Sequence, residues 1–281
     1  MINYIKSAEY MAKKILKYII SIIVVSTVII LLFSRKNPEE KFYPRDYQGI
    51  IESGVIKAVT EYNALSYYIF KGETYGFDYE VLSAFAKEKG IQLEMTPEMS
   101  FEKRIKGVIE GRYDMIALGT ATTSQLKDSI LFTNPFAIGK QILIQRNDED
   151  NRIDSPLGLA GKTIHIIKDS PALMRINNLM DEIGDSIYIE EITDYGPEQL
   201  LAMVSAGDID YAVCDERTAK MYMRRFKNLD LNTNISFNQF YSWGVNRNAP
   251  ILLDSINSWL ERYINTKEYK DLYNEYFKRN Y

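Results

Sequence analysis

The chain has 281 residues, 46% hydrophobic and 26% charged, with 34 Lys and Arg against 38 Asp and Glu for a net charge of −4. That composition suits a globular protein with a sizeable core, and the lack of a basic stripe speaks against a nucleic-acid partner. One cysteine, Cys214, excludes an internal disulfide and a cysteine-cluster metal site; one histidine, His165, leaves multi-histidine sites and Ser-His-Asp chemistry without support. No metal or cofactor is expected.

Residues 1–14 carry Lys6, Lys13 and Lys14 and read as a cytoplasmic tail. Ile15–Phe33 follows, 19 residues with the single charge of Lys17. A bilayer core needs about 20 apolar residues. The lysines ahead of this run outweigh Arg35 and Lys36 behind it, which places the N-terminus inside and the rest of the chain outside. The run is longer than the ~7–15 apolar residues of a cleaved signal peptide, and Leu31-Leu32-Phe33-Ser34 is a poor cleavage site. A single-pass, uncleaved anchor in the cytoplasmic membrane is therefore expected. Residues 34–46, with Pro38 and Pro44, read as a linker.

From Gly49 onward strand-like and helix-like segments alternate. Val55–Thr60 is a β-type run. Phe77–Lys89 has apolar residues at 77, 81, 82, 85 and 86, a helical stripe. Ile91, Leu93 and Met95 alternate as in a strand. Ser100 looks like an N-cap, with Phe101, Ile105, Val108 and Ile109 on one helical face. Met115–Leu118 reads as a buried strand. In the second half, Lys162–Ile167, Ile187–Ile192, Tyr211–Cys214 and Phe240–Val245 read as strands. Ser170-Pro171 opens a helix that Gly184 closes, Pro197–Ala206 is a helix closed by Gly207, and Glu216–Phe226 is a third. From Pro250 two amphipathic helices follow. This alternation predicts an α/β fold with mainly parallel sheets.

Ligands of such sheets bind beyond the carboxyl ends of the strands. That points to Glu61–Tyr68, Gly119–Thr123, Lys168–Ser170 and Asp215, segments rich in hydroxyl, amide or charged groups. Each also reads as plain helix or turn capping. Cys214 lies in the apolar run Tyr211–Cys214 and reads as a buried thiol, and His165 as a structural strand residue.

Three stretches, in order, resemble the family 3 solute-binding proteins, of the type II periplasmic-binding-protein (Venus flytrap) class. They are Gly76-Phe77-Asp78-Tyr79-Glu80-Val81-Leu82; Asp114-Met115-Ile116-Ala117 with Thr122-Thr123 and Phe132-Thr133-Asn134-Pro135-Phe136; and Gly207-Asp208-Ile209-Asp210-Tyr211 to Asp215. The resemblance spans about residues 47–277. Within the family, Asn63–Tyr68 followed by Gly76–Leu82 most resembles the binding-type domain of membrane-bound lytic transglycosylases. No helical Glu-Ser motif of their catalytic domain occurs, so the glycan-cleaving general acid is expected to be absent and the chain is not expected to be an enzyme.

The resemblance implies two lobes joined by two hinge strands, lobe one being residues 47–139 and 241–281 and lobe two residues 140–240. It also implies a ligand site. Asp215 matches the family aspartate that pairs with a ligand α-ammonium, its alternative role being a cap on the next helix. The family arginine that holds the α-carboxylate falls on Leu126. Either the ligand lacks a free α-carboxylate, or Lys140 or Lys168 supplies the charge, or the site is degenerate. Asn63 belongs to the same site, Tyr67 or Tyr68 would form an aromatic wall, and Ser66, Thr120, Thr122 and Ser170 would donate hydrogen bonds. The expected function is membrane-anchored, extracytoplasmic binding or sensing of an amino-acid-like or peptidoglycan-derived small molecule, with a cell-wall enzyme as a possible partner. The alternative is the substrate-binding component of an ABC importer, partnered by its permease. A dehydratase-type enzyme using Asp215, Glu216 or His165 as acid or base is a third reading.

Overall fold

The computed structural model describes residues 2–33, 41–121, 128–148, 151–168, 170–193, 196–223 and 225–277, and the side chains of residues 2–10, 12, 28–33, 120 and 121 lie outside that description. Helix α1 (Ile2–Phe33) is continuous. It belongs to one compact unit, Met1–Phe42; Tyr43–Tyr281 is the other. Along α1, Ile15, Leu16, Ile19, Ile20, Ile23 and Val24 are exposed. The hydroxyls of Ser26 and Thr27 donate back to the carbonyls of Ile22 and Ile23 at 2.6 and 2.8 Å, so they need no water. Among the described residues no helix is long and apolar enough to cross a membrane. The expected anchor, Ile15–Phe33, extends through residues 28–33, whose side chains are not described.

The second unit opens with α2 (Tyr47–Ser53), which Gly54 closes in the left-handed conformation before β1 (Val55–Thr60). A short hairpin, β2 (Tyr68–Phe70) and β3 (Glu73–Tyr75), leads to α3 (Phe77–Lys89) and β4 (Gln92–Pro97). Then come α4 (Phe101–Ile109), β5 (Met115–Ala121), β6 (Ile130–Phe132) and β7 (Ala137–Gly139). The chain continues as β8 (Gln141–Arg146), a 3-10 turn at Pro156–Leu159, β9 (Thr163–Ile167), α5 (Pro171–Ile183) and β10 (Tyr188–Ile192). Next are α6 (Pro197–Ala206), β11 (Tyr211–Asp215), α7 (Glu216–Tyr222) and β12 (Leu229–Asp230). Strand β13 (Gln239–Asn246) and helices α8 (Pro250–Tyr263) and α9 (Lys267–Phe277) complete the described chain.

One sheet has the order β4-β1-β5-β13-β6, with β7 also on β13; another has the order β10-β9-β11-β8-β12. Strands joined through helices pair in parallel: β1 with β4 and β5, and β9 with β10 and β11. The two exceptions are β13, antiparallel to β5, β6 and β7, and β8, antiparallel to β11 and β12. Each reaches its sheet from the other sheet instead of by a helical crossover, so nothing forces it parallel. The chain passes from the first sheet to the second at Lys140 and returns before Gln239. The pairing of Gly139 with Gln239 and of Ile138 with Phe240 holds the two passages side by side.

Each sheet is buried by its helices. Phe77, Phe85, Trp243 and Trp259 lead the core of the first. Leu200, Val204 and Ala219 cover one side of the second, and Ile166, Ile176 and Leu179 pack in a separate cluster. Burying each of the larger apolar side chains among these contributes about 2 kcal/mol.

Two polar ties fix the start of this unit. Arg45 forks onto Asp114 at 3.0 and 2.5 Å, and Asp114 also accepts the Lys57 amide at 2.7 Å. Asp46 caps α2 through the Tyr47 amide at 2.7 Å. The same carboxylate accepts the Leu252 and Ile251 amides at 2.7 and 3.2 Å, capping α8 as well.

Most expected elements appear at their expected places. Strand β5 runs three residues past Leu118 because β13 continues to pair with it through Thr120 and Ala121. Helix α7 stops at Tyr222, short of the expected Phe226, where the chain turns toward β12. Helix α2, the β2–β3 hairpin and strands β6, β7, β8 and β12 were not anticipated by the periodicity.

Candidate functional site

The carboxyl ends of β1, β5, β9 and β11 converge on one cavity of about 110 Å3, lined from both sheets. That volume has room for a few water molecules or a small polar group.

From the first sheet come Glu61, Asn63, Ser66, Asp78 and Arg104. Asn63 sits just past β1, and its Oδ1 accepts the amides of Leu65 and Ser66 at 2.9 and 2.7 Å, an Asx turn that folds the segment back over the strand end. Gly76 presses on this turn from outside. Its φ is 134°, and a Cβ there would lie 2.3 Å from the Ser66 carbonyl oxygen, so only glycine fits. The next turn begins α3 and presents Asp78, whose Oδ1 accepts the indole N–H of Trp243 at 2.7 Å. Burial raises the Asp78 carboxyl to about 6, against the opposing effects of the Trp243 bond and the Arg217 charge.

Arg104 lies on the buried face of α4. Its Nη1 donates to the carbonyls of Glu98 and Met99 at 2.5 and 2.9 Å, and its Nη2 is 3.8 Å from Glu61. Burial lifts the Glu61 carboxyl above its usual range; Arg104 partly offsets this, and Asp215, from the other sheet, adds to it. Two carboxylates on opposite sides of the cavity therefore repel across it.

From the second sheet come Ser170, Asp215, Arg217 and Thr218, and β13 adds Tyr241. Asp215 serves two purposes. Its Oδ1 caps α7, accepting the Arg217 and Thr218 amides at 3.1 Å each, and also accepts Arg217 Nε at 3.2 Å. Its Oδ2 is buried and has no hydrogen-bond partner among the described residues. The hydroxyls of Ser66, Ser170 and Tyr241 likewise lack a well-formed hydrogen bond among the described residues, although Ser66 faces Asp78 and Tyr241 faces Asp215. Ser170 stands at the N-cap of α5, yet its hydroxyl makes no capping bond. The Arg217 guanidinium lies over the Tyr241 ring, 3.7 Å from its centre, and reaches the Gly119 carbonyl of β5 at 3.4 Å. Four buried polar atoms without a well-formed hydrogen bond around one cavity are unusual, since such groups are nearly always satisfied.

Of the residues expected from the sequence, Asn63, Ser66, Ser170 and Asp215 come together here. Asp215 caps α7 through Oδ1, and the residue also lines the cavity. Tyr67, Tyr68 and Lys140 are not brought to the cavity. The Tyr67 ring meets Tyr62 and Tyr79 edge-on, and Tyr68 begins β2 and stacks on Tyr75 at 5.6 Å, so the aromatic side is formed by Tyr241 instead. Lys140 occupies the passage between sheets, where its carbonyl accepts the Glu216 amide at 2.9 Å. Lys168 is exposed. The side chain of Thr120, and Thr122 and Leu126 altogether, lie outside the described residues.

Sequence reading missed Asp78, Arg104, Arg217 and Tyr241 as site residues and did not single out Glu61. For Arg104 a signal existed: position 104 shares a helical face with Phe101 and Val108, an odd place for a charge. His165 is structural, its ring between the Tyr211 carbonyl at 3.2 Å and Glu190 at 3.1 Å. Among the described residues no cluster of His, Cys, Asp or Glu could hold a metal ion.

Comparison with known proteins agrees with this geometry. A model of the bacterial extracellular solute-binding proteins, family 3, matches residues 55–279. A curated relative named membrane-bound lytic murein transglycosylase F, from Desulfosudis oleivorans, is 29% identical over 240 residues, covering 84% of this chain and 52% of that protein. A protein of the same name from Alteromonas mediterranea is 27% identical over 232 residues, covering 79% and 48%. The chain thus spans about half the length of the curated relatives it matches. Among solved structures, a mutant of ArgBP from T. maritima superposes with a TM-score of 0.71 at 21% identity, covering 82% of this chain and 98% of that one. AbpA, an amino acid ABC transporter substrate-binding protein from Streptococcus pneumoniae bound to L-arginine, gives 0.71 at 19% identity, covering 83% and 99%. At these identities the likeness concerns the fold, which is α/β and two-lobed.

Proposed function

The chain belongs to the bacterial extracellular solute-binding proteins of family 3, and on that premise we propose that it is a membrane-anchored, non-enzymatic domain that binds an amino-acid-like or peptidoglycan-derived small molecule outside the cell. The observation that supports this reading is the cavity onto which Ser66, Ser170, Asp215 and Tyr241 each bring a buried polar atom that makes no well-formed hydrogen bond among the described residues. The repulsion between Glu61 and Asp215 favours a ligand with an amino group, whose positive charge relieves it.

In this reading lobe one is residues 47–139 and 241–281 and lobe two is residues 140–240, and the ligand draws them together about the paired passages at Gly139 and Gln239. Closure contacts then set the affinity. Helix α1 is the anchor. The run from Ile15 to Phe33 would extend about 28 Å as helix, close to the ~30 Å of a bilayer core, and its exposed apolar surface supports the assignment.

A binding screen tests the first part. The full chain in detergent is heated with L-amino acids and with muropeptides. A true ligand at about 100 times its Kd adds ~2.7 kcal/mol and raises Tm by several degrees; no shift with any compound would sink the reading. Carbonate washing of membranes tests the anchor, which predicts that the chain stays in the pellet. The likeness to AbpA favours a second reading, the substrate-binding component of an importer. Co-purification of a permease with the tagged chain would decide for it, and co-purification of a cell-wall enzyme against it.

A further inference from the structure

Neighbouring residues of one turn are buried in different cores. Leu65, in the turn that Asn63 folds over the end of β1, belongs to the core of the first sheet, and Ala64 packs against the core of the second. Helix α7 makes the reverse exchange. Its Ala219 and Tyr222 are buried in the core of the second sheet, yet its Met221 packs against both cores. Each half of the molecule thus sets a side chain into the other.

A hydrogen bond closes the exchange. The Ala64 amide donates to the Tyr222 hydroxyl at 3.2 Å. Burial pushes that hydroxyl up to about 12, so it keeps its proton at neutral pH, and it faces the Glu198 carboxylate of α6. Arg225 pairs with Glu198 in turn. Earlier on α7, Arg217 Nη2 reaches the Gly119 carbonyl of β5 at 3.4 Å. At the N-cap of α6, a Cβ on Gly196 would come within 3.0 Å of Met99 Cε, from the segment ahead of α4.

Ala64, Met221 and Tyr222 are not among the residues that line the cavity. Their contacts join groups of the chain to one another. Parting the two sheets would withdraw Ala64 and Met221 from apolar surroundings and leave the Ala64 amide without the Tyr222 hydroxyl, a cost set by the chain alone.

We propose that α7 and the Asn63–Ser66 turn form a latch that holds the two lobes together by contacts of the chain itself, so that the closed form predominates before any ligand binds and the latch sets the apparent affinity. The inference rests on the two-lobed binding reading above. A ligand then supplies only part of the free energy of closure, and its apparent affinity scales with the share of molecules already closed. Weakening the latch lowers affinity without altering a group that lines the cavity.

The test uses the full chain in detergent with spin labels on Glu102→Cys in α4 and Asn177→Cys in α5. Both positions are exposed, on helices that begin at the cavity from opposite sheets. Cys214 is buried and stays in place. Native mass spectrometry first verifies that no small molecule is carried over, and pulsed electron–electron double resonance then measures the separation. With nothing added, the labelled parent should show the short separation of the structure as its main population. Tyr222→Phe keeps the ring and loses the hydroxyl. It should move the ratio of short to long separation about tenfold toward long, the worth of one buried hydrogen bond. Met221→Ala should do at least as much. Saturating L-amino acids or muropeptides should restore the short separation in both variants, which also shows that they are folded. If the parent shows the long separation until a probe is added, or if either variant keeps the parent distribution, the latch is refuted while the binding function stands. If the parent is short, the variants lengthen with an unchanged circular dichroism spectrum, and no probe restores them, the latch stands and the binding function falls.

Discussion

Asp78, on the first turn of α3, accepts a 2.7 Å hydrogen bond from the indole of Trp243 on β13, and both side chains are almost wholly buried. The bond ties the floor of the cavity to the strand that returns from the second sheet. It is also an acid held where ionisation is disfavoured.

That acid predicts a pH signature. The Asp78 carboxyl stands at about 6 in the folded protein against an ordinary 3.8, so between these values the folded state holds the extra proton. Its contribution to stability is fully present below about pH 4 and is lost as the pH rises through 6. Asp78→Asn keeps an acceptor for Trp243 and removes the titration. Urea unfolding of the full chain across this range should show the Asn variant gaining on wild type by ~3 kcal/mol between about pH 4 and pH 7. Parallel stability curves for the two proteins would refute it.

Gly76 is the second point of leverage. Both its φ of 134° and the 2.3 Å approach of the Ser66 carbonyl forbid a side chain. Gly76→Ala should destabilise the protein by about 3 kcal/mol or more and displace Ser66 from the cavity. Thermal unfolding measures the first effect. A variant as stable as wild type would mean that the Asn63–Ser66 turn moves freely.

Arg45→Ala should be costly although Arg45 is partly exposed. The loss falls on Asp114, 2% exposed, which among the described residues then keeps the Lys57 amide. About 2–3 kcal/mol is expected from leaving that carboxylate half satisfied. Arg45→Ala with Asp114→Asn should recover part of it, and a double-mutant cycle by chemical denaturation checks the coupling.

Cys214 is buried at the end of β11, and burial, reinforced by Asp215 and Glu61, pushes its thiol well above the usual range. Iodoacetamide at about pH 8 should label the folded chain at least ~100-fold more slowly than the unfolded chain. Labelling at the unfolded rate would contradict the closed packing around β11.

The sequence carried the fold in the elements that obey a period. Helix α3, helix α6 and strand β9 combine a clear repeat with glycine stops or caps, and the sequence places them almost residue for residue. The missed strands have a physical reason. Strand β8 is buried nearly throughout, Gln141 and Gln145 included, so it shows no alternation. Strands β6 and β7 are three residues long, too short for a period to register. The site was half legible for a similar reason. Ser66, Ser170 and Asp215 follow strands and were found by the strand-end rule. Arg104 and Arg217 sit on helices, where a charge ordinarily faces solvent, and only the packing of two sheets turns them inward. Tyr67 and Tyr68 show the reverse error, aromatic residues whose partners proved to be other aromatics.

Asp46 has a consequence for the order of synthesis. Its carboxylate caps α2 at once, but its bonds to Ile251 and Leu252 close across 205 and 206 positions. The first sheet needs β13 for its centre, so the complete sheet waits for residues 239–246 to emerge, and the Asp46 clamp for Ile251 and Leu252. The intervening segment, β8 to β12, holds all the strands of its own sheet and can settle earlier. During export or synthesis the inserted half would therefore mature first, and Asp46 would act as the final clasp, shut by the arrival of α8.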